Sequence, residues 1–367
     1  MPERDVLTSM DYKIIMHIAE AAGGIDRYLN LFIDNFDNDY KHIVVLSQNF
    51  NLKKYYSKPN VLNVEILEMK HNIGFSDFKT IKKIKQIIKK YKPDFIYCHS
   101  TKAGFLGRLA KPNNSLLLYN AHGWIFNRKC NKFKKTLYAL MERILAKKTD
   151  KIVCISKSEY NSALKYKICK KDKLICIYNG IDYNEITKIV GISREKIGYT
   201  EKNKVIGMVG RLCEQKGSDI FINVAQKLIY INKDYRFLLI GGGPQESKIK
   251  EMIEDKGLSD YVKITGWVNN PLSYAKILDV ACLFSRWEGF GYAIEEYKAM
   301  HLPIVASNVD AIPELLDETY DINNIDELVE VINSKSNMTK VNYTNRFLIT
   351  DCTSKHKELF SELYYNK

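Results

Sequence analysis

Short apolar runs alternate with longer amphipathic segments from one end of the chain to the other. Predicted strands at 13–18 and 204–209, for example, are followed by predicted helices at 25–36 and 217–231. Buried strands that alternate with helices build parallel sheets covered on both faces. Because 367 residues exceed what one ordinary hydrophobic core covers, the chain is expected to form two doubly wound α/β domains.

A change of character near residues 183–203 marks the expected boundary between the domains. This stretch is polar, lacks a strong apolar period and follows the turn sequence Asn-Gly-Ile-Asp at 179–182. We therefore expect a first domain over 1–183 and a second over 184–351, while 352–367 forms a short amphipathic helix. Ligands of open α/β sheets bind outside the carboxyl ends of the strands, so the site is expected in a cleft between two facing domains.

A glycine-containing loop at 288–291 joins a predicted strand at 280–284 to a predicted helix that starts near residue 293. Free N–H groups and the positive end of the helix dipole make such a helix start an anion site. Glu288 and Glu296 lie in the same segment, and carboxylates suit sugar hydroxyls rather than phosphate. The segment predicts a nucleotide-sugar pocket, although an isolated pair of glutamates at this spacing is more often solvated surface charge.

Basic residues follow the strand at 204–209 in the pattern Gly-Arg-Leu-x3-Lys-Gly, which contains Arg211 and Lys216. The planar fork of arginine and the point charge of lysine together would neutralise a pyrophosphate. A basic pair at a strand end is by itself more often solvated, so this pattern gains weight only beside the loop at 288–291.

In the first half, the ends of predicted strands also carry glycines and histidines. Gly23 and Gly24 follow the strand at 13–18, where a glycine pair lets a ligand approach the backbone at a helix start. His99 and His122 each end or follow a strand, so their side chains would lie at the carboxyl edge of the sheet. A lone histidine is more often a structural residue than a functional one.

The string from 285 to 307 closely resembles the retaining GT-B glycosyltransferases of family 4, of the type that assembles polysaccharides and lipid-linked glycans. The resemblance implies two Rossmann-like doubly wound domains that face a central cleft, with a C-terminal helix returning to the first domain. The first domain would bind the acceptor and the second the nucleotide-sugar donor.

The resemblance also implies roles for individual residues. His122 and Glu288 would be catalytic, close to the reacting sugar. Trp267 and Val268 lie where family members contact the nucleobase, and the segment with His99 and Lys102 resembles an acceptor-side loop. The residues implied in donor binding are Gly23, Gly24, Arg211, Lys216, Phe290, Gly291, Tyr292 and Glu296.

Two segments depart from the family pattern. The family usually has a glycine before the proline that corresponds to Pro303, and here the sequence reads Ala-Met-His-Leu-Pro at 299–303. A Gly-Gly pair that usually precedes Ile-Pro-Glu is replaced by Asp310 and Ala311. These changes predict a donor-pocket rim that differs in shape from the family's, but they leave the predicted glutamates and basic residues in place.

Charge is distributed unevenly along the chain. Residues 1–180 carry 33 Lys and Arg against 16 Asp and Glu, whereas the rest carries 23 against 27. Such asymmetry predicts that the first half faces an anionic partner, either nucleic acid or anionic lipid. A coding bias toward lysine, isoleucine and asparagine is a competing explanation.

No window approaches 18 uninterrupted apolar residues, and the first residues lack the order of a signal peptide. The eight cysteines are scattered without a C-x-x-C pair, which favours small core residues in a reducing compartment over a metal site. We expect a cytoplasmic enzyme that associates peripherally with the inner face of the cell membrane.

The prediction is therefore a metal-independent, retaining glycosyltransferase of the hexosyltransferase type (EC 2.4), acting in capsule, exopolysaccharide or related surface polysaccharide synthesis. It needs no cofactor. The donor is a nucleotide sugar, with UDP-sugars favoured, and the acceptor is a glycan or a polyprenyl-diphosphate-linked glycan. A nucleotide-sugar epimerase or hydrolase of the same fold is an alternative. A nucleic-acid-binding protein is a weaker one, because aromatic residues are not interleaved with the basic ones.

Overall fold

A computed structural model describes residues 12–70 and 74–366 of the chain. Its described residues form two compact units, one up to residue 180 together with 347–366 and the other over residues 181–346. The domain limits predicted from the sequence, 183/184 and 351/352, lie three and five residues beyond these divisions. None of the helices in the described ranges combines the length and apolar character needed to cross a membrane.

The first unit is built on a seven-stranded parallel sheet with the strand order β3-β2-β1-β4-β5-β6-β7. Its strands are β1 (Lys13–Ala19), β2 (Tyr40–Leu46), β3 (Val61–Ile66), β4 (Phe95–His99), β5 (Leu116–Asn120), β6 (Lys151–Cys154) and β7 (Leu174–Cys176). The order reverses between β1 and β4, which makes this pair the topological switch point of the sheet.

Helices connect these strands, as crossovers between neighbouring parallel strands require. They are α1 (Gly24–Asn35), α2 (Lys53–Tyr56), α3 (Ser76–Tyr91), α4 (Thr101–Ala110), α5 (Lys132–Ala146) and α6 (Lys157–Lys165). A C-terminal helix, Ile349–Tyr365, belongs to the same unit. Its Phe360 packs against Phe36 and Phe95, so the predicted return of the last helix to the first domain is confirmed.

The second unit is built on a five-stranded parallel sheet with the order β10-β9-β8-β11-β12. Its strands are β8 (Lys204–Val209), β9 (Tyr235–Ile240), β10 (Val262–Ile264), β11 (Val280–Leu283) and β12 (Ile304–Ala306). Its helices are α7 (Tyr183–Thr187), α8 (Ser218–Ile231), α9 (Glu246–Asp255), α10 (Pro271–Ala275), α11 (Tyr292–Ala299), α12 (Ile312–Leu315) and α13 (Ile325–Lys335), so the C-terminal helix is α14. Here the order reverses between β8 and β11.

Each sheet buries near-continuous apolar strands under its helices, as parallel sheets do. In the first unit Met16, Ile43 and Ile96 belong to one core cluster, and in the second Ile206, Phe237 and Val280 belong to another. The predicted α/β architecture of two Rossmann-like domains is confirmed.

Helix α4 was not predicted from the sequence, and neither were the four-residue α2 and the five-residue α7. Helix α4 is packed closely: its Gly104 lies against Tyr119, and its Gly107 against Cys98. Its Arg108 is fully buried and donates to Glu142 at 2.7 Å. Because polar and apolar residues are buried alike, the sequence shows no amphipathic period there.

Candidate active site

In the second unit, the loops that follow β8 and β11 meet at the carboxyl edge of the sheet. These strands are neighbours at the switch point, where open α/β sheets leave a crevice for ligands. The β8 loop carries Arg211 and Lys216, and the β11 loop carries Glu288. The two segments that the sequence singled out therefore lie beside each other.

Glu288 is held by residues from both loops. Lys216 Nζ donates to its Oε1, and so does Ser285 Oγ at 2.7 Å. The backbone N–H of Glu288 donates to Asp310 Oδ2 at 2.9 Å. The side chain is buried, with 9% of the residue exposed, and Oε2 accepts no hydrogen bond from the described residues. The arrangement fixes one carboxylate oxygen and leaves the other for a hydrogen-bond donor such as a hydroxyl.

Gly217 brings the two loops together. Its backbone takes φ 68°, in the left-handed region, and a Cβ there would lie 2.1 Å from the carbonyl oxygen of Phe284. Only glycine accommodates both this conformation and this contact. The second glycine of the Gly-Arg-Leu-x3-Lys-Gly pattern is thus explained by close packing of the start of α8 against the end of β11.

Arg286 reinforces the same junction, and sequence reasoning missed it. Its guanidinium donates to both carboxylate oxygens of Asp219, at 3.0 and 2.6 Å, and to the carbonyl of Glu214 at 2.7 Å. The hydrogen bond with Asp219 is the main reason that the pKa of Arg286 is raised. Arg211, in contrast, is exposed, and its side chain makes no hydrogen bond or ion pair with the described residues.

Helix α11 starts at the loop as predicted. Gly291 is its N-cap residue, with φ 99°, and Phe290 is buried beside it. Glu296 is buried on this helix. The carboxylate of the neighbouring Glu295 is occupied by other residues, because it accepts hydrogen bonds from Lys298 at 2.8 Å and from the hydroxyl of Tyr183. Tyr292 is half-buried, and its ring contacts that of Phe290.

The two departures from the family pattern have a shared backbone explanation. Asp310 takes φ 45° and His301 takes φ 59°, so both adopt the left-handed conformation that glycine adopts most easily. Asp310 is compensated by its hydrogen bond with Glu288, and His301 Nδ1 lies 3.2 Å from the carbonyl oxygen of Val341. The chain keeps the conformation with other residues in place of glycine.

The predicted nucleobase region follows β10. Trp267 is exposed, and a Cβ on Gly242 would lie 2.9 Å from its ring, while Val268 is half-buried. Gly241 pairs with Gly266 in an isolated bridge, which brings the ends of β9 and β10 together. Both loops lie at the same edge as the β8 loop.

In the first unit, the predicted residues gather at the other switch point. Gly23 is the N-cap of α1, with φ 82°, and Gly24 is the first residue of that helix. His99 ends β4 and is fully buried. His122 follows β5 with φ 50°, an uncommon conformation for a residue other than glycine, and its backbone N–H donates to Asn120 Oδ1 at 2.9 Å.

His99 and His122 are joined directly, since His99 Nδ1 lies 3.1 Å from His122 Nε2. Burial lowers the pKa of His122 to about 3 and also lowers that of His99, so both are neutral at physiological pH. Lys102 lies apart from this pair. It is buried and donates to both oxygens of Asp77, at 2.6 and 2.7 Å, so its acceptor role stays a prediction.

Sequence reasoning also missed His17 and His42, which lie within buried strands β1 and β2. The available signal was a polar residue inside an otherwise apolar strand. Across the described residues, no group of three or more histidine, cysteine, aspartate or glutamate side chains has the geometry of a metal site.

Comparison with known proteins agrees with these observations. Residues 22–185 match the model of Glycosyltransferase Family 4, and residues 191–342 match that of Glycosyl transferases group 1. An Escherichia coli UDP-Gal:alpha-D-GlcNAc-diphosphoundecaprenol alpha-1,3-galactosyltransferase is 28% identical over 79% of this chain and 81% of its own length. The Staphylococcus aureus capsular polysaccharide biosynthesis glycosyltransferase CapM is 26% identical over 72% of this chain and 71% of its own.

A solved structure supports the fold. Anabaena HepE, in complex with UDP and glucose, superposes with a TM-score of 0.77 at 19% identity, covering 95% of this chain and 99% of that one. The two family models together span most of both units. The chain is a glycosyltransferase of the GT-B fold.

Proposed function

We propose that this glycosyltransferase transfers a hexose from a UDP-sugar, with retention of anomeric configuration, to a polyprenyl-diphosphate-linked glycan in surface polysaccharide synthesis. The observation that carries the proposal is the contact between Lys216 and Glu288 at the switch point of the second unit. It places a cation suited to phosphate and a carboxylate suited to sugar hydroxyls side by side.

The chemistry of transfer needs both charges. Departure of the nucleoside diphosphate builds negative charge on the phosphate and positive charge on the anomeric carbon. Lys216 and the exposed Arg211 would stabilise the phosphate, together with the start of α11. Glu288 would hold the sugar through Oε2, Glu296 would bind the ribose, and Phe290, Gly291 and Tyr292 would line the donor site. Trp267 and Val268 would lie by the base.

Residues of the first unit would complete the reaction. We propose that Gly23 and Gly24 adjoin the donor phosphates and that His122 contacts the transferred sugar, with His99 on the acceptor side. Retention is supported by the resemblance of the 285–307 string to retaining enzymes. The UDP donor and lipid-diphosphate acceptor are supported by the name of the Escherichia coli relative. We propose no cofactor and no metal, because basic residues and a helix start supply the positive charge.

A surface of the first unit suits an anionic membrane. Helix α5 exposes Phe133, Leu137, Leu140 and Ile144, each between 46% and 76% exposed, at spacings that place them on one face. Exposed lysines flank them at positions 132, 134, 147 and 148. An apolar stripe between cations is the pattern of a helix that lies in a lipid interface. We therefore propose peripheral binding to the anionic inner face of the cell membrane.

The proposal is tested with the purified full-length chain and a panel of UDP-, GDP- and dTDP-sugars. A UDP-sugar should raise Tm and be transferred to a synthetic acceptor that carries a lipid diphosphate, also in excess EDTA. The anomeric coupling constant of the first product, measured by ¹H NMR, should match that of the donor. Inversion, or release of free sugar without transfer, would contradict the proposal.

A further inference from the structure

Four histidines of the first unit lie on one diagonal across four neighbouring strands. His42 on β2 is paired with Ile15, and His17 lies two residues further along β1. His17 is in turn paired with Tyr97, and His99 lies two residues beyond it on β4. Because side chains alternate between the faces of a strand, steps of two keep the histidines on one face.

The same step of two residues leads from His99 to the carboxyl edge of the sheet, where the candidate site residues of the first unit lie. His99 is paired with Asn120, the last residue of β5, and His122 lies two residues beyond. The diagonal therefore begins inside the sheet at His42 and ends at the carboxyl edge with His122. Of the four, only His122 is more than marginally exposed.

Each histidine contacts the next through ring nitrogens. His42 Nδ1 lies 3.0 Å from His17 Nε2, His17 Nδ1 lies 3.1 Å from His99 Nε2, and His99 Nδ1 lies 3.1 Å from His122 Nε2. The same pairing of Nδ1 with Nε2 repeats at every link. The result is a continuous row of hydrogen bonds with a consistent polarity.

Aromatic side chains cover the row. Phe32 packs edge-on against His17, Tyr28 contacts His99 and His122, and Phe36 contacts His42. This burial is the main cause that lowers the pKa of His42 to about 3 and the pKa values of His17 and His99 well below their usual range. All four imidazoles are therefore neutral at physiological pH, with one N–H and one lone pair each.

Each neutral histidine has one ring proton, and each of the three nitrogen-to-nitrogen contacts, or links, needs one proton to be a hydrogen bond. Only two arrangements of the four protons satisfy every link. In the first, all four histidines carry the proton on Nδ1, so His42 Nε2 is a lone pair and His122 offers an N–H from Nδ1. In the second, all four carry it on Nε2, and His122 Nδ1 is a lone pair. No mixed arrangement satisfies the three links.

The buried end of the row distinguishes the two arrangements. His42 Nε2 is buried and has no hydrogen-bond partner among the described residues. A buried N–H without an acceptor is rarer in proteins than a buried acceptor without a donor. The first arrangement, with protons on Nδ1, is therefore favoured.

We infer that His42, His17 and His99 are positioning residues that hold His122 as the Nδ1–H tautomer, so that it presents a hydrogen-bond donor at the carboxyl edge of the sheet. The ligand it fits is an oxygen that accepts a hydrogen bond, such as a hydroxyl or ring oxygen of the transferred sugar. This inference rests on the proposed function only for the identity of that oxygen.

The tautomers are read directly from ¹H–¹⁵N correlation spectra of the full-length protein labelled at histidine, recorded without substrate at pH 8.5. Neutral imidazole gives one resonance for the protonated nitrogen and a well-separated one for the bare nitrogen. Substituting each histidine in turn assigns the signals. We expect Nδ1 to be protonated in His17, His42, His99 and His122, and protonation of His122 on Nε2 would overturn the inference.

An isosteric pair at His17, which does not contact His122, tests transmission along the row. In His17→Asn the amide nitrogen can donate to His99 Nε2, and His122 should keep its Nδ1 proton. In His17→Asp the ionised carboxylate accepts from His99 Nε2–H, so the proton of His122 should move to Nε2. Identical tautomers of His122 in the two variants would overturn the inference.

Kinetics then separate the inference from the proposed function. If the His122 donor binds the transferred sugar, kcat of His17→Asp should fall about a hundredfold below that of His17→Asn, the scale of losing one oriented donor, while the donor KM changes less. Equal kcat values despite a reversed tautomer would support the row and refute the proposed contact between His122 and the sugar.

Discussion

Lys216 Nζ donates to Glu288 Oε1 although 72 residues separate the two in sequence. The contact joins the loops after β8 and β11, the two strands between which the sheet order reverses. Ser285 donates to the same oxygen at 2.7 Å, so Glu288 is oriented from two sides. A carboxylate held in this way is preorganised for a ligand, and its function depends on position as well as charge.

Replacing Glu288 by Gln should lower kcat by about a hundredfold and change the donor KM less, because the carboxylate is proposed to act on the reacting sugar. Ser285→Ala removes only one of the two donors that orient Glu288, so its effect on kcat should be smaller. Steady-state kinetics with varied donor concentration separates the two constants. An effect of Glu288→Gln on KM alone would reduce Glu288 to a binding residue.

Glu296→Ala and Glu295→Ala should affect different properties, donor binding in the first and stability in the second, although the residues are adjacent. Loss of Glu296 should weaken donor binding by about 1–3 kcal/mol, the scale of a hydrogen bond to a charged group. Loss of Glu295 leaves Lys298 buried without its carboxylate and should lower the free energy of unfolding by about 3–5 kcal/mol. Calorimetric donor titration and urea unfolding measure the two quantities. Unchanged donor affinity in Glu296→Ala would contradict the ribose role.

Gly217→Ala should destabilise the second unit more than Gly257→Ala, a matched control. Both glycines take left-handed conformations, with φ 68° and 63°, so each substitution costs about 1–2 kcal/mol of backbone strain. A Cβ on Gly257 meets nothing within 4 Å, whereas one on Gly217 would lie 2.1 Å from the Phe284 carbonyl. Only Gly217→Ala should also weaken donor binding, since the loops of Lys216 and Glu288 must separate. Equal free energies of unfolding for Gly217→Ala and Gly257→Ala would show that the contact with the Phe284 carbonyl relaxes at no energetic cost.

The first unit should lose stability as the pH falls from 6.5 toward 4. Unfolded histidine binds a proton below about pH 6.5, but folding holds these side chains neutral, so protons favour the unfolded chain. Each such histidine contributes a slope of about 1.4 kcal/mol per pH unit. Burial lowers the pKa to about 3 in His42 and His122, to about 4 in His356, and well below the usual range in His17 and His99.

Urea unfolding followed by fluorescence of Trp124, in a protein with Trp267→Phe and Trp287→Phe, measures this slope. The variant His42→Phe keeps an aromatic side chain but removes one titrating group. Its free energy of unfolding should therefore depend less steeply on pH, by about 1.4 kcal/mol per pH unit, the contribution of one proton. A free energy of unfolding that does not change between pH 6.5 and 5 would mean that the histidines are protonated in the folded protein.

Substituting the α5 stripe with Phe133→Ser, Leu137→Gln and Ile144→Gln should reduce binding to vesicles of anionic phospholipid. The reason is that the stripe supplies apolar area while the flanking lysines supply about 1 kcal/mol each near an anionic surface. Tyr230→Ser with Ile231→Ser, which removes exposed apolar residues from the second unit, is the matched control. Vesicle flotation at low and high salt measures binding. Equal flotation of the stripe variant and the control would assign the stripe no role at the membrane.

Patterns that depend on neighbours in sequence could be predicted without the structure. The apolar period located β8 at its observed bounds, and it located α8 to within one residue at its start. The motif residues after β8 and β11 were recognised because a strand, a glycine loop and a helix follow one another directly in sequence. Helix α4 was missed because apolar, polar and charged residues are buried on it alike, so its sequence has no period that distinguishes an inner face from an outer one.

The sequence by itself determined the alternation of strands and helices, the two units and the residue types at each strand end, since all of these follow from local periodicity and turn chemistry. Only the tertiary structure decided which of those residues meet. The contact of Lys216 with Glu288 depends on the reversal of strand order, and the row from His42 to His122 depends on the register of four strands. Strand order is decided by which strands pack together across long separations in sequence, and the register between two strands exists only once they pair.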